Sequence, residues 1–367
     1  MKKIFYTLAG IACAVVVVQP IPVLGAPIMD ETLEMVKNKY IFNGPIYATV
    51  TDGETLYLGG EFDEISRRSE IGEAILFDET TKDIQAFPYI STEEGGETVH
   101  ASISDGNGGW FVGGSFTHIN GLPHSRIAHI LSDGSVDPKL NPLTVGKIYS
   151  LAYDPHKNIL YAGGAFGACD GVFDEEEGTC DGEIAMGIAA FNISTGKLAD
   201  FPVLVDDLVT SLALSSDGSV LYVGGVFSSI NESDVFGLGA INTSDGSLVE
   251  GVDFNGEYED RLFPMALALS SNGILYVGNH YQAQFGLGGG LDALFAFDTS
   301  DGSQIDFDPN VDGGIYALAL SPDEQRLYIG GSFIHVGEKE RFQFAEINIA
   351  TGQATDLDAH IVGEIDT

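Results

Sequence analysis

Basic residues are scarce in this sequence. Only 16 of its 367 residues are lysine or arginine, against 54 aspartates and glutamates, which gives a formal net charge of −38. Nucleic-acid binding requires clustered basic side chains that neutralise phosphates, and binding to anionic membranes requires basic clusters as well. We therefore expect neither nucleic acid nor an anionic membrane as a partner. The apolar fraction of 44% still allows a buried core, because disordered acidic segments contain few apolar residues.

Long apolar runs are missing too, apart from one near the N terminus. Two lysines precede the apolar run of residues 4–18, and small residues follow it. This order is typical of a secretory signal peptide, and the run is short for an uncleaved membrane anchor. We predict a signal peptide over residues 1–25 and a lead-in segment over 26–43. The protein is then secreted or on the cell surface, with the periplasm as an alternative, and has no membrane span after cleavage.

Linear catalytic motifs are also missing. The sequence contains no Gly-x-Ser-x-Gly elbow, His-Glu-x-x-His pair, Walker loop, Cys-x-x-Cys pair or EF-hand spacing, each of which would indicate a particular chemistry. Residues 104–108 are interpreted as a hairpin turn rather than a sialidase Asp-box. His118 and His335 occupy the same place in two repeats, which a polar loop position explains better than a metal site.

Six copies of one unit begin at residue 44. Each contains an aliphatic-aromatic strand that ends in paired glycines and then an aromatic residue, as in residues 56–62 and 221–227, except that the fifth copy has a single glycine. A strand of the type Ile-x-Ala-Leu-Ala-Leu precedes it, and an Asn/Asp-x-x-Thr/Asp-Gly turn closes the unit. Paired glycines within a strand indicate a bulge or a close backbone approach. The predicted units are residues 44–94, 95–145, 146–206, 207–260, 261–312 and 313–362.

Each unit contains about four short strands and no clear helical period. A four-stranded unit repeated in this way is typical of a β-propeller blade, because one meander cannot bury both of its faces without neighbours. We predict an all-β fold, a β-propeller of about six four-stranded blades. Residues 363–367 begin a further repeat, so the chain is either six blades or a fragment of a seven-bladed or larger ring.

The repeats resemble the delta-60 repeat propellers of secreted bacterial proteins, and they are similar to the repeats of Rax2-type cortical marker proteins. The resemblance rests on Gly-x-Ile-x-Ala-Leu-Ala, Leu-Tyr-Val-Gly-Gly-x-Phe and the polar turn, and it spans about residues 45–362. It implies extracellular or cell-surface placement and no established catalytic residues. The fifth repeat departs from the pattern at Asn279, His280 and Tyr281, which are therefore candidate binding residues.

The third repeat carries an insertion flanked by Cys169 and Cys180, the only cysteines left after residue 25. In an exported protein this arrangement predicts a disulfide, the alternative being two free thiols. Asp170, Asp174 and Asp181 in this acidic insertion are candidate Ca²⁺ ligands, the alternative being a solvated acidic loop. We expect no other cofactor.

These observations favour a non-catalytic binding or interaction module whose partner is an extracellular protein or carbohydrate. In propellers, function lies in the loops around the scaffold rather than in the scaffold itself. The alternative is an extracellular polymer-degrading hydrolase or lyase with its site at the channel mouth, since catalytic groups from several blades need no linear motif. A quinone-dependent dehydrogenase is disfavoured by the single tryptophan.

Overall fold

In the computed structural model the chain is all-β, and its described part contains no helix. The structure describes residues 99–169, 184–254, 262–280 and 293–357, together with Pro88 and Ile90. For the strands that lie outside these ranges, and for Cys169, the structure describes the backbone but not the side chains. Among the described residues, no helical segment has the length and hydropathy of a membrane span.

Residues 99–354 form five blades of a β-propeller, which confirms the predicted fold class. In each blade the first strand pairs with the second and the second with the third, and a fourth strand, where present, pairs with the third. The strands are Val99–Ser104, Trp110–Gly114 and Ile127–Ile130 in the second repeat; Leu143–Asp154, Ile159–Cys169, Ile184–Asn192 and Lys197–Leu198 in the third; Val209–Leu214, Val220–Gly225 and Leu238–Asn242 in the fourth; Pro264–Leu269, Ile274–Asn279, Leu294–Asp298 and Gln304–Ile305 in the fifth; and Ile315–Leu320, Arg326–Gly331, Phe344–Asn348 and Gln353–Ala354 in the sixth.

The first repeat pairs its strands in the same order, through Ile46–Thr51, Thr55–Gly60, Ala74–Asp78 and Ile84–Gln85. Short hairpin strands follow the second strand in several repeats: Glu64–Ile65 and Ser69–Glu70; His118–Ile119 and Leu122–Pro123, with Ile90–Ser91 beside them; Ser229–Ile230 and Ser233–Asp234; and His335–Val336 and Lys339–Glu340. In the third repeat Phe173–Asp174 pairs with Thr179–Cys180. Lys2–Phe5 and Val16–Val17 are short strands within the predicted signal peptide, the rest of which lies outside the described residues.

The chain divides into two compact units. One contains residues Pro88–Leu275 and Phe297–Ile305, and the other contains Met1–Phe87, Tyr276–Ala296 and Asp306–Thr367. The core of the first unit consists of apolar clusters between successive blades, such as the one that contains Phe111, Ile148, Leu160, Phe191 and Ile193. In the second unit the buried apolar residues include Ile315, Leu327, Ile329, Phe333 and Phe344. Burial of this apolar surface is the main favourable term in folding.

The first glycine of each pair lies against the first strand of the following blade. A Cβ at Gly113 would be 2.7 Å from Cγ2 of Ile148, and one at Gly163 would be 2.5 Å from Cγ1 of Val209. The same holds in the second unit, where a Cβ at Gly278 would be 2.6 Å from Ile315. Adjacent blades can therefore approach closely only where this position has no side chain.

The second glycine lies against the backbone of its own blade. A Cβ at Gly225 would overlap the carbonyl oxygen of Leu208, and one at Gly164 would overlap that of Lys147. The first strands also bulge opposite the glycine pairs, with the extra residue at His100 and at Thr210. Both predicted reasons for paired glycines, a bulge and a close approach, are confirmed.

A tyrosine at the third residue of the second strand joins two blades of the first unit to the blade that follows each of them. The hydroxyl of Tyr161 hydrogen-bonds Thr243, and that of Tyr222 hydrogen-bonds Thr299. Both threonines follow the first residue of the turn that closes the next blade. In the second repeat the tyrosine is replaced by Phe111, and the corresponding turn residue, Ile193, packs in the same apolar cluster. In these three junctions the two positions are either both polar or both apolar.

Replacing Thr243 with valine should lower the free energy of unfolding by about 1–3 kcal/mol, because buried partners then lose a hydrogen bond. The hydroxyl of Thr243 donates to the carbonyl oxygen of Gly218 at 2.6 Å and accepts from Nζ of Lys157 at 2.7 Å. Urea denaturation measures the change. Thr195→Val, at an exposed turn residue, is the control and should change stability by less than about 0.5 kcal/mol. Equal effects of the two variants would contradict the role of Thr243.

Candidate functional site

The bulge residues of the first strands occupy a position that is common beside active sites, because bulges re-aim side chains. The rings of His100 and Tyr149, which occupy the bulges of two neighbouring blades, lie 4.7 Å apart. At the next bulge, the hydroxyl of Thr210 contacts the carbonyl oxygens of Gly224 and Pro264. These groups join first strands to each other, so they serve the scaffold.

Burial, with a smaller contribution from the positive charge of Lys147, lowers the pKa of His100 to about 4. The imidazole is therefore neutral at neutral pH. A neutral, mostly buried ring beside Tyr149 stabilises the contact between two blades, and this stabilisation depends on pH because protonation would charge a buried group.

A second polar cluster surrounds His129 in the second repeat. Nε2 of His129 lies 3.0 Å from Oδ2 of Asp105, Nδ1 lies 3.5 Å from Oδ2 of Asp137, and the ring stacks on Phe111 at 4.4 Å. Burial raises the pKa of Asp105, but hydrogen bonds from His129 and from the amides of Asn107 and Gly109 outweigh it, so the net shift is downward. Both imidazole nitrogens face carboxylates, so neither is placed to activate a hydroxyl nucleophile. The cluster fixes the hairpin turn at residues 104–109, in agreement with its interpretation as a turn.

The third repeat differs from the others because its first three strands are extended beyond the paired glycines. The extension, which we call the arm, comprises residues 143–147, 165–169 and 184–187. Its backbone pairs Leu143 with Cys169 and Cys169 with Ile184. Corresponding strands in the fourth repeat begin at Val209 and end at Gly225. The arm is therefore an addition to the common blade.

One face of the arm is apolar and exposed. Leu143, Val145, Ile184 and Met186 are 40%, 50%, 61% and 60% exposed, and residues two apart on a strand, or paired across strands, lie on the same face. The opposite face is buried, and there the hydroxyl of Thr144 donates to the carbonyl oxygen of Ser125 at 2.6 Å. Side chains with this exposure on one contiguous sheet face are typical of an interaction surface.

A cavity of about 290 Å³ lies in the same unit. Its lining combines the rings of Phe227, Phe236 and Phe263 with the carboxylates of Asp206 and Asp207. A second cavity, of about 440 Å³, shares Phe236 and also contains Asp234, Asp253 and Phe254. Aromatic rings together with carboxylates are suited to a cationic group that also has an apolar part.

The two carboxylates of the smaller cavity have different structural roles. Asp206 caps the loop after the second strand, because its Oδ1 accepts from the amides of Ser228 and Ser229 at 2.9 Å. Burial raises the pKa of Asp206, but the hydrogen bonds from Ser228 and Ser229 outweigh it and the pKa is lowered, so this carboxylate is charged at neutral pH. Asp207 is exposed and accepts one hydrogen bond, from the adjacent amide of Leu208. Asp312 caps the matching loop in the second unit, so the cap belongs to the fold and Asp207 is the carboxylate more available to a ligand.

The predicted site residues do not come together in the described structure. Asn279 is fully buried, and its backbone N–H donates to the carbonyl oxygen of Ala293 at 2.8 Å, so it is part of the blade. The ring of His280 lies 5.9 Å from that of Tyr316, and Tyr281 is outside the described residues. A binding role for these three residues stays a prediction.

The predicted disulfide and Ca²⁺ site fall almost entirely outside the described residues. The side chains of Cys169 and Cys180 are not described, and neither are Asp170, Asp181 or the side chain of Asp174. Both predictions therefore stay open. Within the described part of the chain, no group of three or more His, Cys, Asp or Glu residues is arranged to hold a metal ion.

Nδ1 of His335 donates to Oδ2 of Asp312 at 2.8 Å, and His118 contacts Thr117 in the matching hairpin. Sequence reasoning missed the arm, although the apolar alternation at Leu143 and Val145 was visible. The exposed position becomes evident only from the register of three strands.

A match to one protein family supports the propeller fold. The family described as "domain of unknown function (DUF5122) beta-propeller" matches residues 106–139, within the second repeat. No curated protein sequence matches the chain. Similar solved structures include a chain of the mitotic checkpoint complex, with 14% identity, a TM-score of 0.49 and coverage of 79% of this chain and 72% of that one. Another is hydrazine synthase of Kuenenia stuttgartiensis, with 15% identity, a TM-score of 0.38 and coverage of 60% and 49%. Likenesses this distant say nothing about activity.

Proposed function

We propose that this β-propeller is an exported, non-catalytic binding module of the delta-60 repeat type, and that it binds a protein through the arm. Export rests on the signal-peptide pattern of residues 1–25. The observation that carries the binding role is the exposed apolar face of Leu143, Val145, Ile184 and Met186. Aliphatic side chains and methionine favour a protein partner, because interface cores are apolar and enriched in methionine. A carbohydrate partner is the other outcome of the test.

The test incubates the secreted protein with immobilised polysaccharides and extracellular proteins, and it records both depletion of the chain from solution and release of products. We expect depletion by a protein without any product. Met186→Ser should weaken this binding, because part of an exposed methionine is buried in the complex. Leu122→Ser, at a 70% exposed leucine outside the arm, is the matched control and should bind as the wild type does.

Three outcomes would overturn the proposal. Release of products would favour the polymer-degrading enzyme, and depletion by a polysaccharide would favour a carbohydrate-binding role. An equal loss of binding in the Met186 and Leu122 variants would show that the arm is not the binding surface.

A further inference from the structure

The arm and the smaller cavity are adjacent in the first unit. A Cβ at Gly187, the residue after Met186, would lie 3.6 Å from the carbonyl oxygens of Val205 and Asp207. Asp207 also lines the cavity that contains Phe236. The loop that provides the carboxylates therefore passes directly beside the end of the arm. A partner that covers Met186 would come close to Asp207 as well.

Acidic residues outnumber basic ones beside the arm, whose own strands contain one basic residue, Lys147. Asp206 and Asp207 are both exposed. In the sequence, residues 170–183, which connect two strands of the arm, contain seven acidic and no basic residues. A second copy of this chain would be acidic as well, since acidic residues far outnumber basic ones in the sequence, and like charges in an interface cost several kcal/mol. Charge complementarity therefore requires a basic partner.

We propose, on the basis of the binding role proposed above, that the arm binds a segment of another protein in which apolar and arginine side chains alternate. The apolar side chains cover Met186 and its neighbours. An arginine enters the 290 Å³ cavity, where its planar guanidinium pairs with Asp207 and lies against the ring of Phe236. An arginine fits this lining better than a lysine, because guanidinium stacks on aromatic rings and is weakly hydrated.

Three acetylated and amidated peptides of about eight residues test the proposal by fluorescence anisotropy at about 0.15 M salt, where long-range attraction is screened. The first peptide alternates leucine with arginine, the second alternates serine with arginine, and the third alternates leucine with glutamate. The full-length mature protein should bind the first peptide most tightly. The second retains the charge without the apolar contact, and the third retains the apolar contact with the wrong charge.

Two variants locate the binding. Met186→Ser should weaken binding of the leucine-arginine peptide by about five- to twentyfold, from the apolar surface lost. Asp207→Asn should weaken it by about two- to fivefold, since the ion pair is partly exposed. The controls are Leu122→Ser and Asp245→Asn, the latter at a turn aspartate whose hydrogen bonds to Ser247 an asparagine also makes. Both should bind like the wild type.

Equal affinity for the serine-arginine and leucine-arginine peptides would overturn the inference, as would equal affinity for the leucine-glutamate peptide. If no peptide binds but Met186→Ser still loses the protein partner found above, the inference is wrong and the proposed function stands. If the Met186→Ser variant binds the peptide and the protein partner as tightly as the wild type does, the inference and the proposed function are both wrong.

Discussion

Replacing Gly225 with alanine should lower the free energy of unfolding by about 3 kcal/mol, the upper part of the range for overpacking. The added methyl group would overlap the carbonyl oxygen of Leu208 and would lie 3.1 Å from Cδ1 of Phe227. The backbone cannot move away easily, because the amide of Gly225 donates to the carbonyl oxygen of Gly237 at 2.8 Å. Urea denaturation followed by circular dichroism measures the change.

Gly167→Ala is the matched control. Gly167 also lies in a second strand, but a Cβ there would have its nearest neighbour at 3.7 Å, an ordinary contact. An alanine that fits reduces the conformational freedom of the unfolded chain, so this variant should be unchanged or slightly more stable. If the two variants lose equal stability, steric overlap at the second glycine of the pair is not the reason for its presence.

Acidification from pH 7 to pH 4 should cost about 3 kcal/mol of stability through His100. Its pKa is about 4 in the folded chain and about 6.5 in the unfolded chain. Between these values the unfolded state binds a proton that the folded state excludes, so stability falls as pH falls, and the full loss is reached below pH 4. Each unit of pKa difference corresponds to about 1.4 kcal/mol.

The measurement is urea denaturation of the wild type and of His100→Gln at several pH values between 4 and 7. The variant should lose much less stability over this interval. His156→Gln, at an exposed histidine, should keep the slope of the wild type. Asp105, whose pKa is lowered in the folded chain, affects stability in a different pH interval. Its contribution to stability is fully present above the pKa that it has in the unfolded chain, and this contribution is lost only as the pH falls below that value. If His100→Gln retains the full slope, His100 is not the group responsible.

Much of the scaffold could be predicted because its signals are local. The paired glycines report close approaches of the backbone at Gly163, Gly164 and Gly225, and Asn242 with Gly246 forms the turn that its spacing predicted. The bulges followed from the same glycine pairs. These features depend on residues close together in the chain, so the sequence pattern contains them directly.

The candidate site could not be predicted in the same way. Asp207, Phe236 and Phe263 line one cavity although they lie far apart in the sequence, and no spacing rule connects them. The cluster of Asp105, His129 and Asp137 was missed for the same reason. The departure from the repeat pattern at Asn279 is visible in the sequence. Only the structure shows that a side chain at this second glycine position lies inside the blade.

The matched pairs of residues between blades restrict how such a chain can be rearranged during evolution or engineering. Tyr161 and Tyr222 each need a hydroxyl on the repeat that follows, whereas Phe111 is followed by Ile193. A duplicated or transplanted repeat therefore brings half of a junction with it, and its new neighbour must supply the other half. Placing the second repeat before the fourth would leave the hydroxyl of Thr243 facing Phe111. A repeat can therefore be moved without breaking these contacts only as part of a unit that contains both members of each pair.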